Sequence, residues 1–138
     1  MRILYFHQYF QTPKGKFGTR SYVMAKELIK AGHFVTMICG NSINGHTGLN
    51  KPFVGGRRRG FVDNIDVIEF DLNYSNHLSF FERSKVFIKF ALLSIGVVIK
   101  EPFDIVFATS TPLIVGLPGI YARFFKRKIF IFEVRDLW

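Results

Sequence analysis

The chain has 138 residues, enough for one domain with a hydrophobic core. Hydrophobic residues make up 49% and charged residues 21%, which excludes intrinsic disorder, and one cysteine, Cys39, excludes a disulfide framework. Lys+Arg 19 against Asp+Glu 10 leave a net charge of +9, which suits nucleic acid, an anionic membrane or phosphorylated ligands, and also fits a merely basic protein.

The run Arg2 to His7 is apolar and predicts a buried strand. Gln8 to Gly18 is a polar loop holding Pro13, Gly15 and Gly18. From about Thr19 the pattern turns helical: Tyr22, Ala25, Leu28 and Ile29 share a face up to Ala31, and Gly32 is placed as the stop. Phe34 to Cys39 predicts a second strand, parallel to the first because a crossover helix joins them. Residues 40–60 read as a long loop that includes Arg57, Arg58 and Arg59 as a mobile charge run. Ile65 to Phe70 alternates and predicts a third strand, with Asp71 to His77 turn-like behind it.

Leu78 to Lys100 predicts the longest helix, apolar on more than one face and closed by Pro102. Its Lys85 and Lys89 share a face, which fits a helix lying on a membrane surface and also a core helix with an exposed basic stripe. Asp104 to Ala108 is a fourth strand, Leu113 to Phe125 a helix, and Lys128 to Glu133 a fifth strand. The first apolar run is short for a signal peptide and has no small-residue cleavage site. The longest uncharged run, Ile105 to Ala122, is broken by Pro112 and Pro118, so no spanning helix is expected.

Strands alternating with helices predict an α/β fold: a Rossmann-like, doubly wound, mostly parallel sheet with helices on both faces. In such a sheet the ligand crevice lies beyond the C-terminal strand ends where the order reverses. A strand order of 3-2-1-4-5 brings the loop after the first strand against those after the fourth and fifth. Those loops and their edges hold Gln8, Thr19, Arg20, Thr109, Ser110, Thr111, Glu133, Arg135 and Asp136, and His7 at the end of the first strand lies near the same crevice.

The glycine loop lacks the P-loop pattern, because Phe17 follows Lys16, and also lacks the dinucleotide fingerprint. Its spacing fits phosphate contact and an ordinary strand-to-helix turn equally. Arg20 at a helix start opposes the helix dipole, which an anionic ligand or a nearby carboxylate explains, and a solvated surface arginine fits as well. Asp136 just past a strand end fits a general base or a helix cap. His7, His33, His46 and His77 have no metal-ligand spacing, and no nucleic-acid module is recognisable.

Three pieces carry a resemblance. They are Ile3 to Phe10 with Gly18-Thr-Arg-Ser-Tyr22, Lys30-Ala-Gly-His33 with Val35-Thr36, and Phe132-Glu-Val-Arg-Asp-Leu-Trp138. Together they resemble the N-terminal domain of family 4 glycosyltransferases, particularly the bacterial branch that builds O-antigen lipopolysaccharide and capsular polysaccharide. The resemblance implies one half of a GT-B fold. It also implies retaining transfer of a sugar from a nucleotide sugar to a glycan or lipid-linked acceptor, with no metal and no cofactor beyond the substrate.

Carried onto this chain, the resemblance puts Gly15, Gly18, Thr19 and Arg20 near the donor diphosphate. His7, Thr109, Ser110, Thr111 and Arg135 fall on the acceptor side, with Asp136 the candidate for the base. Residues 1–138 are then the acceptor-side domain of a truncated transferase whose donor-binding C-terminal domain is absent, and the chain alone is expected to be inactive. The expected place is cytoplasmic, with peripheral contact at the inner face of an anionic membrane. The alternative is a non-catalytic Rossmann-like subunit that pairs with a separate donor-binding chain.

Overall fold

The computed structural model describes residues 1–135. Six strands form one sheet: β1 Arg2–Phe6, β2 Phe34–Ser42, β3 Arg57–Val62, β4 Ile65–Tyr74, β5 Ile105–Thr109 and β6 Ile129–Glu133. Their order is β3-β4-β2-β1-β5-β6, all parallel except β3. This is the expected order with one added edge strand. The helices are α1 Arg20–Lys30, α2 Phe80–Lys100 and α3 Leu117–Phe125, the last preceded by a 3-10 turn, Leu113–Gly116.

Alternation along β1 divides the core in two. Ile3 and Tyr5 point to one face, where they pack with Ala25 of α1 and with Val35 and Met37 of β2. Leu4 and Phe6 point to the other, toward Phe90, Val97 and Val98 of α2 and Ala122 of α3. Helices therefore cover both faces, as a buried parallel sheet requires. β6 is less covered: Phe130 and Phe132 pack toward α3, while Ile129 and Ile131 on the opposite side are exposed.

The ends of the helices follow from local chemistry. Gly32 stops α1 with φ 89°, donating to Ile29 O while His33 N donates to Leu28 O, a paired left-handed cap. Ser79 starts α2 through a reciprocal capping box with Glu82. α2 thus begins two residues later than the periodicity predicts.

Two expectations are overturned. The run Arg57 to Arg59 is not a mobile loop but the start of β3, antiparallel to β4 across a two-residue turn. Asp63 (φ 49°) and Asn64 (φ 70°) are both left-handed there, the geometry that matches strand twist in a tight hairpin. Arg58 pairs with the buried Glu69, Arg59 with the buried Asp66 and with Glu101. Neutralised by partners on the adjacent strand and on α2's end, these cations can sit on a sheet edge. The segment from Asp71 is not turn-like either: β4 continues to Tyr74, because Asn41 of β2 accepts from the N–H groups of Leu72 and Asn73.

Candidate functional site

The order reverses at β1, which lies between β2 and β5, and the loops after β1, β2, β4, β5 and β6 converge beyond their C-terminal ends. They enclose a cavity of about 480 Å³, a volume within the range of small-molecule sites. His7, Gln11, Phe17 and Gly18 come from the β1 loop, and Thr111 and Arg135 from the β5 and β6 loops. The remaining wall is Tyr9, Ser42 to Asn44, and Tyr74 to His77.

His7 is buried, and its Nδ1 lies 2.7 Å from Ser21 Oγ on α1. Burial, reinforced by the nearby Arg135 charge, lowers its pKa to about 4, so the ring is neutral at pH 7. It serves there as a hydrogen-bonding group. Arg135 is the one cation in the described lining, which contains no carboxylate. Its backbone N–H donates to Ser110 Oγ at 2.8 Å, and Ser110 N donates to Glu133 O, so the β5 and β6 loops are tied together. Thr111 has φ 86°, a left-handed conformation that a β-branched residue rarely takes. Such outliers persist where the surroundings over-determine them, often at binding sites.

Arg20 takes the carboxylate of the two partners its position allowed. Its Nε donates to Glu133 Oε1 at 2.8 Å, and its Nη2 pairs with the same oxygen. The other oxygen, Oε2, accepts from Thr109 Oγ1 at 2.9 Å, and that hydroxyl lies 3.3 Å from the hydroxyl of the buried Tyr5. Arg20 and Thr109 therefore form a strut joining the start of α1 to the ends of β5 and β6, behind the cavity wall and not in its lining.

The glycines divide. A Cβ on Gly15 would lie 2.0 Å from Gln11 Oε1, so this glycine packs against the loop's own Gln11 side chain, which a larger residue would displace. A Cβ on Gly18 would meet nothing within 4 Å, and Gly18 faces the cavity. Thr19 is the N-cap of α1 but makes no side-chain cap, and the first turn holds no acid. The opening N–H groups of α1 beside Gly18 thus keep their preference for an anion. Asp136 lies outside the described residues. Also among the described residues, no three His, Cys, Asp or Glu side chains are placed to hold a metal ion.

Sequence reasoning missed the aromatic and amide wall. Tyr9 and Tyr74 pack with ring centroids 5.0 Å apart, and Tyr74 stacks in turn on Phe87 of α2. Burial and the Tyr74 hydroxyl raise the Tyr9 pKa, so it stays a neutral phenol. Asn44, Ser75, Asn76 and His77 stand around this pair. The amide atoms of Gln8 and the Oε1 of Gln11 are buried without a partner among the described residues, the situation in which polar groups take ordered water or a ligand. The signal available in the sequence was positional: residues directly after each parallel strand face the crevice, whatever their type.

Apolar ring faces combined with neutral donors and acceptors suit a polyhydroxylated ligand, whose C–H faces pack on aromatics while its hydroxyls pair with amides. The one lining cation and the uncapped helix start add a place for negative charge at the rim.

No family model matches this chain, and no curated protein matches it in sequence. Solved structures do match in fold. Sucrose-phosphate synthase from Thermosynechococcus elongatus superposes with a TM-score of 0.59 at 14% identity, over 96% of this chain and 32% of that one. An E. coli structure described as trehalose-6-phosphate bound with UDP-2-fluoro glucose gives 0.56 at 12% identity, again over 96% and 32%. The chain spans about a third of the length of these two structures. At such identities the likeness is one of fold: the chain has the mostly parallel α/β architecture found in GT-B glycosyltransferases.

Proposed function

We infer that the chain is the acceptor-side domain of a retaining glycosyltransferase, one that moves a sugar from a nucleotide sugar to a lipid-linked glycan in cell-surface polysaccharide synthesis. The observation that carries this reading is the cavity at the sheet's reversal. It joins a Tyr9–Tyr74 aromatic wall and neutral amide groups, fit for a sugar, to the acid-free start of α1, fit for a diphosphate.

In this reading Gly18 and Thr19 let the donor diphosphate approach the N–H groups of α1. Arg20, held by Glu133, fixes where that helix begins. His7, Thr111 and Arg135 meet the acceptor, His7 as a neutral hydrogen-bonding partner. Thr109 and Ser110 position that wall through Glu133 and Arg135. Asp136 is the proposed base for the acceptor hydroxyl. In this reading a further domain supplies the second wall that the nucleotide sugar needs; that the chain covers 32% of each of the two solved neighbours supports it.

The test is a titration of the ¹⁵N-labelled chain with short oligosaccharides. Amide shifts at Tyr9, Asn44, Asn76 and His77 are expected. No response at the cavity to any glycan at millimolar concentration overturns the acceptor assignment. Turnover of a nucleotide sugar by the purified chain alone contradicts the need for a second domain.

A further inference from the structure

α2 carries apolar residues on two opposite faces. Phe90, Ala91, Val97 and Val98 are buried against the sheet. On the far side Phe81, Ile88, Leu92 and Ile99 form a second stripe at helical spacing that meets solvent, with Phe81 77% and Leu92 65% exposed. The next helical segment repeats the arrangement. Leu113, Leu117, Ile120 and Phe124 recur at helical spacing and are all exposed, Phe124 at 75%. Both segments cover the same face of the sheet and pack against each other, so both stripes look away from it. Two adjoining apolar stripes exceed the scattered exposure of an ordinary soluble surface.

The charges around these stripes have one sign. Lys85 and Lys89 border a shallow groove with Ile88, Leu92 and Leu93. Arg123, Lys126 and Arg127 stand at the end of α3. No Asp or Glu occurs between Arg83 and Lys100, or between Leu113 and Lys128. The acids flanking α2 are both engaged: Glu82 is turned back onto Ser79 in the capping box, and Glu101 pairs with Arg59. Elsewhere Arg20, Arg58 and Arg59 are paired with carboxylates.

We propose that the outer face of α2 and α3 is a docking surface for an anionic lipid bilayer. The helices lie in the interfacial plane, their apolar stripes buried about 5–10 Å deep and the lysine and arginine heads at the level of the lipid phosphates. Attachment is peripheral, since no helix among the described residues is long and apolar enough to cross a membrane. Charge decides for lipid over protein. The core of a protein interface is depleted of lysine, whereas interfacial helices are rich in it and anionic headgroups attract it. The placement also fits the cavity: Ser75, Asn76 and His77 line it, and α2 begins at Phe80, so the crevice opens beside the docked surface. The proposal stands independently of the sugar-transfer reading, because its test involves no sugar.

The test is co-sedimentation of the whole chain with vesicles of phosphatidylglycerol and phosphatidylcholine, against phosphatidylcholine alone. Binding to the anionic vesicles is expected to be at least about tenfold tighter and to weaken as salt shortens the Debye length. Leu92→Glu with Ile120→Glu should lower it at least about tenfold while the urea midpoint holds, since both side chains are exposed. Lys85→Glu with Lys89→Glu should flatten the salt dependence. Phe61→Glu, an equally exposed apolar residue on β3, should leave binding unchanged. Absence of binding, equal binding to neutral vesicles, or insensitivity to Leu92→Glu with Ile120→Glu overturns the proposal. So does a lipid-free dimer that those two substitutions dissociate, which would make the face a contact between copies.

Discussion

Asp66 on β4 is the strongest test of how the arginine-rich edge is held. It is buried, and its two oxygens accept from Arg59 Nε at 2.9 Å, Arg59 Nη2 at 2.6 Å and Thr36 Oγ1 at 3.0 Å. Asp66→Ala removes a bidentate charged pair and leaves the buried Thr36 hydroxyl unpaired. Breaking a fully buried pair costs about 3–5 kcal/mol. Here the Arg59 side chain is 46% exposed and keeps Glu101, so it rehydrates and the cost is discounted. What remains is the orphaned hydroxyl and the lost charged hydrogen bonds, together about 2–3 kcal/mol. For a chain of this size that lowers Tm by about 6–12 °C. Asp66→Asn keeps an acceptor for Thr36 and should cost about half as much. Urea unfolding followed by circular dichroism measures both. A double-mutant cycle with Arg59→Ala should show coupling of about 1–2 kcal/mol. The reasoning fails if Asp66→Ala stays within about 0.5 kcal/mol of the native chain, or if the cycle shows no coupling.

Three further outcomes follow from the same geometry. Gly119→Ala places a Cβ 2.0 Å from Phe130 and should cost about 1–3 kcal/mol, whereas Gly96→Ala in α2 meets nothing within 4 Å and should stabilise by about 0.5–1 kcal/mol; urea midpoints decide both. His7 is depressed to about 4 in the fold, so below about pH 6.5 the unfolded chain binds a proton that the folded chain refuses. Stability should therefore fall between pH about 6.5 and 4 by up to about 3 kcal/mol, and His7→Gln should remove that part of the slope in urea titrations at pH 7 and 4.5. Asn76→Ala with His77→Ala, both exposed at the cavity rim, should weaken glycan binding at least about fivefold in the NMR titration at an unchanged urea midpoint.

How far the chain could be read in advance depended on the range of each interaction. The apolar runs of β1, β2, β4, β5 and β6 and the helical spacing of α1 are local signals, and they predict these elements within a few residues. The crossovers between parallel strands then constrain the order of the sheet. β3 was invisible to the same reasoning, because Arg57, Arg58 and Arg59 carry no apolar pattern. They become a strand only where Glu69, Asp66 and Glu101 neutralise them, and the Asp63–Asn64 turn was the one local clue.

The site shows the same division. That loops after the β1, β5 and β6 strands should meet followed from topology. That Arg20 pairs with Glu133 was one of the options the sequence left open, and the tertiary structure chose it; that Tyr9 packs on Tyr74 had no local signal.

α2 makes the point most sharply. Its sequence is apolar on more than one face, and Ser79 with Glu82 at one end and Pro102 at the other bound its length. Only the packed sheet decided which stripe is buried, because Phe90 and Val98 compete with Ile88 and Leu92 on equal chemical terms, and the strands beneath offer room for one set. Apart from β3, local sequence determined which elements form, since backbone propensity and periodicity act within a few residues. The tertiary structure determined which side chains remain at the surface to bind, since that depends on surfaces that meet only after the chain has closed.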